Sequence, residues 1–299
     1  MSATFSEPLS RAYGACVALA RSHYENFPVA TWLLPAPMRP HVAAVYAFAR
    51  VADDLADEGQ HADEVRRLRL ATWRARLHDA VDAPRSASDN DDPQTLMLVA
   101  ASHTIRSLHL PLSLFDDLIS AFVQDTTTSR YDSWAGLFDY CRRSANPVGR
   151  LVLRIAGYRD PAIDKSSDAL CTALQLTNFW QDFGPDWRGG RLYVPREVQL
   201  GCRAREGDLG ETLLTEPWVA AIHRCVEVTR QSFAEGRHVC DAVRGRLRFE
   251  LRLTWQGGWR VLDKVERTGA DLLRSRPVLG RGDAPALLWN TCRWKGSTV

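Results

Sequence analysis

Residues 174–186 read Leu-Gln-Leu-Thr-Asn-Phe-Trp-Gln-Asp-Phe-Gly-Pro-Asp, and the fold is decided there. At about 100° per residue, Gln175, Asn178 and Asp182 share one stripe of a helix whose remaining circumference is Leu174, Leu176, Phe179, Trp180 and Phe183. A helix apolar nearly all round is buried. Amides and carboxylates in that setting are costly unless something satisfies them, and a hard cation is the obvious partner for this stripe. Asp186 extends the line by one turn, although Pro185 removes a backbone donor and biases Gly184 away from helical angles.

Upstream, residues 39–57 form the second informative helix. Val42, Val45, Ala49 and Leu55 alternate with a polar line of Tyr46, Arg50, Asp53 and Asp57 that spans about 60° of arc at helical pitch. Asp53 and Asp57 are an i, i+4 carboxylate pair, a spacing at which like charges repel. Such a pair, behind Arg50 and flanked by Asp54, gives up stability for another purpose; the bland alternative is a solvated acidic helix end. Gly59 is the expected stop.

The rest of the chain reads as helices with polar connections. A helix with a proline-broken extension covers residues 8–35, and a charged helix covers 61–81. Residues 82–93, Asp-Ala-Pro-Arg-Ser-Ala-Ser-Asp-Asn-Asp-Asp-Pro, are a surface loop within a domain, because helical periodicity resumes on both sides. Further helices are expected at 94–108, 112–125, 215–244 and 246–270. Between Trp134 and Tyr158, Asn146-Pro147 interrupts a helix beside the small residues Ser144, Ala145 and Gly149, where a ligand could approach closely. After Asp186, Trp-Arg-Gly-Gly-Arg-Leu-Tyr-Val-Pro-Arg has loop chemistry, and Arg188 and Arg191 have the geometry to meet phosphate oxygens. The tail mixes Arg274, Arg276 and Arg281 with Leu279, Leu287, Leu288, Trp289 and Trp294. It either caps the bundle, the favoured reading, or lies against a membrane surface. No internal repeat and no alternating strand pattern stands out, so the expectation is one all-α domain over residues 1–299.

Composition narrows the classes. Of 299 residues, 45% are hydrophobic and 25% charged, and 38 basic residues against 36 acidic ones leave a net charge of +2. That is no footprint for nucleic acid. Seven cysteines, an odd number with no C-x-x-C pair, point to reduced thiols in a cytosolic-type compartment. No signal peptide and no apolar run of about 18 residues is found, so a soluble or at most peripheral protein is expected.

Two helices that each offer aspartates suggest carboxylate clusters facing across a central cavity. Such oxygens favour magnesium, which keeps waters and shares its shell with substrate phosphates. The metal would neutralise a diphosphate leaving group, and an aromatic-lined cavity would shelter the resulting carbocation from water. A di-iron helical bundle is the competing metal scheme, but it draws on glutamates in Glu-x-x-His pairs. The carboxylates on these lines are aspartates.

Arg50-x-x-Asp53-Asp54-x-x-Asp57 after Tyr46-Ala-Phe, and Gln175-x-x-Asn178-x-x-x-Asp182-x-x-x-Asp186 before Gly190-Arg-Leu-Tyr-Val-Pro195, resemble the squalene/phytoene synthase family from about Ala12 to Trp289. Each motif alone is a weak signal; the pair, in this order and about 125 residues apart, is specific. The resemblance implies an isoprenoid-synthase bundle with a central cavity, in which a magnesium-bridged diphosphate is held between the motifs. It also implies head-to-head chemistry on C15 or C20 diphosphates.

The chain departs from the family's pattern in three places. Arg142-Arg143-Ser144-Ala145-Asn146 replaces a tyrosine-containing segment ending Val-Ala-Gly, Gln181 stands where Arg is usual, and Pro185 where Glu is usual. With His23-Tyr-Glu-Asn-Phe-Pro28 and Ser144-Ala-Asn-Pro-Val-Gly149, these resemble the branch that ionises preformed presqualene diphosphate and lets water capture the cation as hydroxysqualene, without NADPH. By that resemblance Asp53, Asp57, Asn178, Asp182 and Asp186 would hold Mg2+. Arg50, Tyr46, Gln175, Asn178, Arg188, Arg191 and Tyr193 would hold the diphosphate substrate. Asn146, with Arg142 or Arg143, would steer the cation. The alternatives are a full condensing enzyme making presqualene diphosphate, squalene or phytoene, and a non-catalytic partner of terpenoid enzymes.

Overall fold

A computed structural model describes residues 5–22, 34–57, 62–210 and 212–294. In chain order the helices are α1 (Glu7–Ser22), α2 (Arg39–Asp57), α3 (Asp63–Asp82), α4 (Pro93–Leu108), α5 (Ser113–Asp125), α6 (Trp134–Ser144) and α7 (Asn146–Ile155). Then come α8 (Pro161–Gln181), α9 (Phe183–Arg188), α10 (Arg196–Cys202), α11 (Glu216–Glu235), α12 (Val239–Ala242), α13 (Gly245–Thr268) and α14 (Ala284–Arg293). Among the described residues no strand forms, and the one extended pairing is an isolated bridge between Arg130 and Leu192. The fold is all-α. His23 to Pro28 and Gly59 lie outside the described residues.

The chain divides into two compact units, residues 1–127 with 147–160 and residues 128–146 with 161–299. The first is built on α2. Its alanines at 43, 44, 47, 52 and 56 are buried, which lets neighbouring helices approach, and Phe48 supplies the bulk. Phe48 stacks on Trp73 at 5.6 Å and meets Phe115 edge-on at 5.3 Å, while the Trp73 indole donates to the Phe48 carbonyl at 3.2 Å. Rings in such arrangements add to the stabilisation from area alone. The cluster takes in α1 and α4, where the Tyr13 hydroxyl lies 2.9 Å from Thr104 Oγ1, 3.1 Å from His41 Nδ1 and 2.8 Å from His103 Nδ1.

In the second unit α8, α11 and α13 pack together. Trp180 is fully buried on α8 and donates to Thr229 Oγ1 on α11 at 2.8 Å. Trp255 on α13 donates to the Phe233 carbonyl at 2.9 Å. The helix expected over 215–244 is broken after Glu235. Gly236 abuts α8 so closely that a Cβ would lie 2.6 Å from the Leu170 nitrogen; the chain turns there and restarts as α12. Close packing overrode helical periodicity.

Candidate active site

Each acidic line is described within its own unit. On α2, Asp53, Asp54 and Asp57 occupy the last turns, where the helix macrodipole disfavours carboxylates and no basic residue closes the helix. Arg50 offsets both penalties: Nη1 donates to Asp53 Oδ2 at 3.0 Å and Nη2 reaches Asp54 Oδ1 at 2.6 Å. One guanidinium thus holds two carboxylates through i, i+3 and i, i+4 spacing. Asp57 is exposed at the helix end. One turn before Arg50, burial raises the Tyr46 phenol above its ordinary value of 10.0, with Arg50 opposing and Asp53 and Asp54 adding to the rise. The four side chains thus share one electrostatic environment.

On α8, Leu176, Thr177, Phe179 and Trp180 are buried, Gln175 and Asp182 are half-buried and Asn178 is exposed. The polar stripe lies on an accessible face, unlike the fully enclosed helix expected from sequence. Asn178 Nδ2 donates to Asp182 Oδ2 at 2.8 Å. Asp182 is the single residue between α8 and α9, and helical pairing continues through it: its N–H donates to the Asn178 carbonyl and the Asp186 N–H to the Asp182 carbonyl, both at 2.8 Å. Pro185, expected to remove a backbone donor and bias Gly184, is the third residue of α9, and the pairing that steps from Asn178 through Asp182 to Asp186 passes over its missing N–H.

The main partner of Asp182 was not legible in the motifs. Arg276 forms a two-pronged ion pair with it, through Nε to Oδ1 and Nη2 to Oδ2. The hydrogen bond to Asp182 raises the Arg276 pKa above its ordinary value, and Asp186 adds to the rise from its own position on the line. The segment bearing Arg276 is fastened beside the stripe: Gln181 Nε2 donates to the Pro277 carbonyl at 2.6 Å and Arg188 Nη1 to the Leu273 carbonyl at 3.0 Å. Gly184 permits this approach, because a Cβ there would overlap the Leu273 carbonyl. Arg188, expected at phosphate, thus has a backbone partner.

Beside the stripe stands an aromatic wall. The rings of Phe179 and Tyr193 stack at 3.8 Å, Tyr193 continues to Tyr131 at 6.0 Å, and Tyr140 lies 6.0 Å from Phe179. The negative faces of such rings suit a cation. Tyr193 was expected from its motif; Tyr131 and Tyr140 were missed. Arg191, next to Tyr193, donates its N–H to the Asp186 carbonyl at 2.8 Å. Asn146 is buried elsewhere in the unit, accepting from Thr172 Oγ1 at 3.0 Å and lining a cavity of about 410 Å³ with Lys165, Asp168 and Glu235. Thr172 precedes Asp182 by ten residues, about 15 Å of helix, so within this unit Asn146 is not brought to Asp182. Arg142 and Arg143 both pair with Asp139, at 2.8 and 3.0 Å.

An all-α chain carrying two aspartate-rich helices, one beside an aromatic wall, has the features of an isoprenoid diphosphate synthase. The squalene/phytoene synthase model matches residues 20–283, and the chain belongs to that family. It is 38% identical to the hydroxysqualene synthase of Zymomonas mobilis over 207 residues, which cover 69% of this chain and 66% of that protein. It is 35% identical to the hydroxysqualene synthase of Sinorhizobium fredii over 254 residues, covering 84% and 82%. The crystal structure of squalene synthase HpnC from Alicyclobacillus acidocaldarius superposes with a TM-score of 0.81 at 37% identity, covering 89% of this chain and 97% of that one. Phytoene synthases match as well.

Proposed function

We propose that this protein is a hydroxysqualene synthase. It ionises presqualene diphosphate, breaking the carbon–oxygen bond to the leaving group. Water adds to the rearranged carbocation and loses a proton, giving hydroxysqualene and diphosphate, and no electrons are gained or lost in the balance. The observation that carries the reading is the similarity to two hydroxysqualene synthases in a chain that keeps all four motif aspartates.

The donor chemistry fits magnesium. Asp53, Asp57, Asn178, Asp182 and Asp186 offer oxygen, and among the described residues no three His, Cys, Asp or Glu side chains gather into a protein cage. This suits an ion that keeps waters and completes its shell from substrate phosphate. When bound, it supplies charge neutralisation to the departing diphosphate. Arg50 holds Asp53 and Asp54 in place. Arg276 does the same for Asp182 and brings a guanidinium that suits a phosphate oxygen. Gln175, Tyr46, Arg188 and Arg191 complete the proposed substrate contacts. Tyr193 and Phe179 face the cation.

The test is one pair of incubations with magnesium and without NADPH. Presqualene diphosphate should yield hydroxysqualene, and farnesyl diphosphate alone should yield nothing. C30 product from farnesyl diphosphate would move the assignment to a condensing synthase.

A further inference from the structure

The groove bounded by α11, α13 and α14 contains no residue of either acidic line and has an unusual lining. It encloses about 700 Å³ and presents Trp255, Trp259 and Trp289 together with Arg230, Arg237, Arg260 and Arg293, against the carboxylates of Asp263 and Asp283. Arg230 pairs with Asp263 at 3.0 Å and with Glu266 at 2.7 Å, and Asp283 takes Arg260 at 3.1 Å and Lys264 at 2.6 Å. Arg237 lies over Trp294 at 4.1 Å and Arg293 over Trp289 at 4.2 Å. With Glu266 and Lys264 counted beside the lining residues, five cationic side chains stand against three carboxylates, in a chain whose overall charge is only +2.

The rim is apolar and faces outward. On α14, Leu288 is 50% and Trp289 57% exposed, and Val278 on the preceding segment is 51% exposed. Leu279, 41% exposed, reaches α13 beside Gly257, next to the Gln256 that lines the groove. Scattered exposed leucines need no explanation. Adjacent exposed Leu and Trp on one short helix, with arginines stacked on the indoles, match the chemistry of a bilayer interface. There indoles settle at headgroup depth and guanidinium groups meet lipid phosphate.

We infer that the α13–α14 face docks the protein on an anionic phospholipid bilayer. Charge complementarity selects that occupant: the cationic lining suits lipid phosphate, and Leu288 and Trp289 are placed to enter the acyl boundary. The inference rests on the proposed function in one respect, that a largely apolar C30 alcohol product needs a lipid phase to leave into.

The test uses the full chain and needs no turnover. In co-sedimentation, wild type should bind vesicles of phosphatidylglycerol in phosphatidylcholine, ignore pure phosphatidylcholine, and be released as salt rises from about 0.1 M to 1 M. Its tryptophan emission should shift to the blue on binding. Trp289→Ser with Leu288→Ser, and separately Arg293→Ala, should each weaken binding at least about fivefold while circular dichroism and turnover in detergent micelles stay unchanged. Wild type remaining in solution with the anionic vesicles would overturn the inference, as would undiminished binding by both variants. Competition by millimolar glycerol phosphate would instead make the groove a site for free anions. Concentration-dependent dimerisation lost in the double variant would make it a contact between copies. Inactivity in micelles alongside intact vesicle binding would refute the enzymatic reading and leave the docking surface standing.

Discussion

The two aspartate lines solve the same electrostatic problem with different parts of the chain. On α2 the countercharge is local: Arg50 precedes Asp53 and Asp54 by three and four residues on the same helix. At the end of α8 it is remote, since Arg276 stands 94 residues beyond Asp182. A local clamp is present as soon as its helix forms. A remote one exists only when the segment bearing Arg276 is folded against α8 and α9. The second line therefore depends on tertiary structure in a way the first does not.

Removing the carboxylates tests what the two lines share. Asp53→Ala and Asp182→Ala should each lower turnover of presqualene diphosphate by about 10³-fold or more, the scale of losing a main source of charge stabilisation for a departing anion. Unchanged rates at saturating magnesium would remove both lines from the chemistry.

Removing the clamps tests where the lines differ. Arg50→Gln and Arg276→Gln should each reduce kcat by about 10- to 100-fold, because both free a carboxylate and delete a phosphate-compatible cation. Neither should alter stability by more than about 1 kcal/mol, since the Asp182–Arg276 pair is partly solvated, with 47% of the Arg276 side chain exposed. A fall in melting temperature with kcat intact would make Arg276 a structural tie. Near-full rescue by Arg276→Lys would show that charge matters more than the two-pronged geometry.

The same contrast explains what could be read from the sequence. The acidic end of α2, its partner Arg50 and the helix bounds at 39 and 57 were legible because i, i+3 and i, i+4 spacing is a local property of the chain. Gln175, Asn178 and Asp182 were legible as one stripe for the same reason, and Asn178 does bond Asp182. Arg276 was read as part of a cationic tail, because no local pattern indicates which arginine a distant segment will present to an aspartate. Tyr131 and Tyr140 were missed for the same reason: they join Tyr193 and Phe179 only through packing. The break at Gly236 likewise depends on Leu170, which lies far from it in sequence. Pro185 acts by a local rule, and the chain meets it by ending one helix at Gln181 and restarting at Phe183.

Gly184 sharpens the dependence on the remote segment. A methyl group there overlaps the Leu273 carbonyl, which is backbone and cannot swing aside. Gly184→Ala should therefore displace the 272–277 segment and destabilise the fold by about 3 kcal/mol, the upper range for overpacking. Calorimetry would show a melting temperature several degrees lower. Because Arg276 would move with the segment, kcat should fall as it does in Arg276→Gln. A variant that loses stability but keeps kcat would uncouple the strap from Asp182.

One group in each unit, partly or fully buried, responds to pH, and the two do so with opposite signs. In the first, burial and the neighbouring His103 hold the His41 imidazole down to about 4 from an ordinary value of 6.5. The unfolded chain binds that proton more readily, so this group leaves stability intact above pH 6.5 and reduces it as pH falls from 6.5 towards 4. In the second, burial raises the Glu250 carboxyl from 4.5 to about 7, and its Oε2 has no hydrogen-bond partner in the described structure. Here the folded state holds the proton more tightly, so stability is full below pH 4.5 and declines as pH rises to about 7. Glu250→Gln keeps the shape and removes the ionisation. It should raise the melting temperature by a few degrees at pH 8, leave it nearly unchanged at pH 4.5, and preserve the acid-side loss that belongs to His41. A melting profile parallel to wild type at every pH would mean that the Glu250 carboxylate is stabilised in the fold, and the opposition between the two groups would then reduce to the histidine alone.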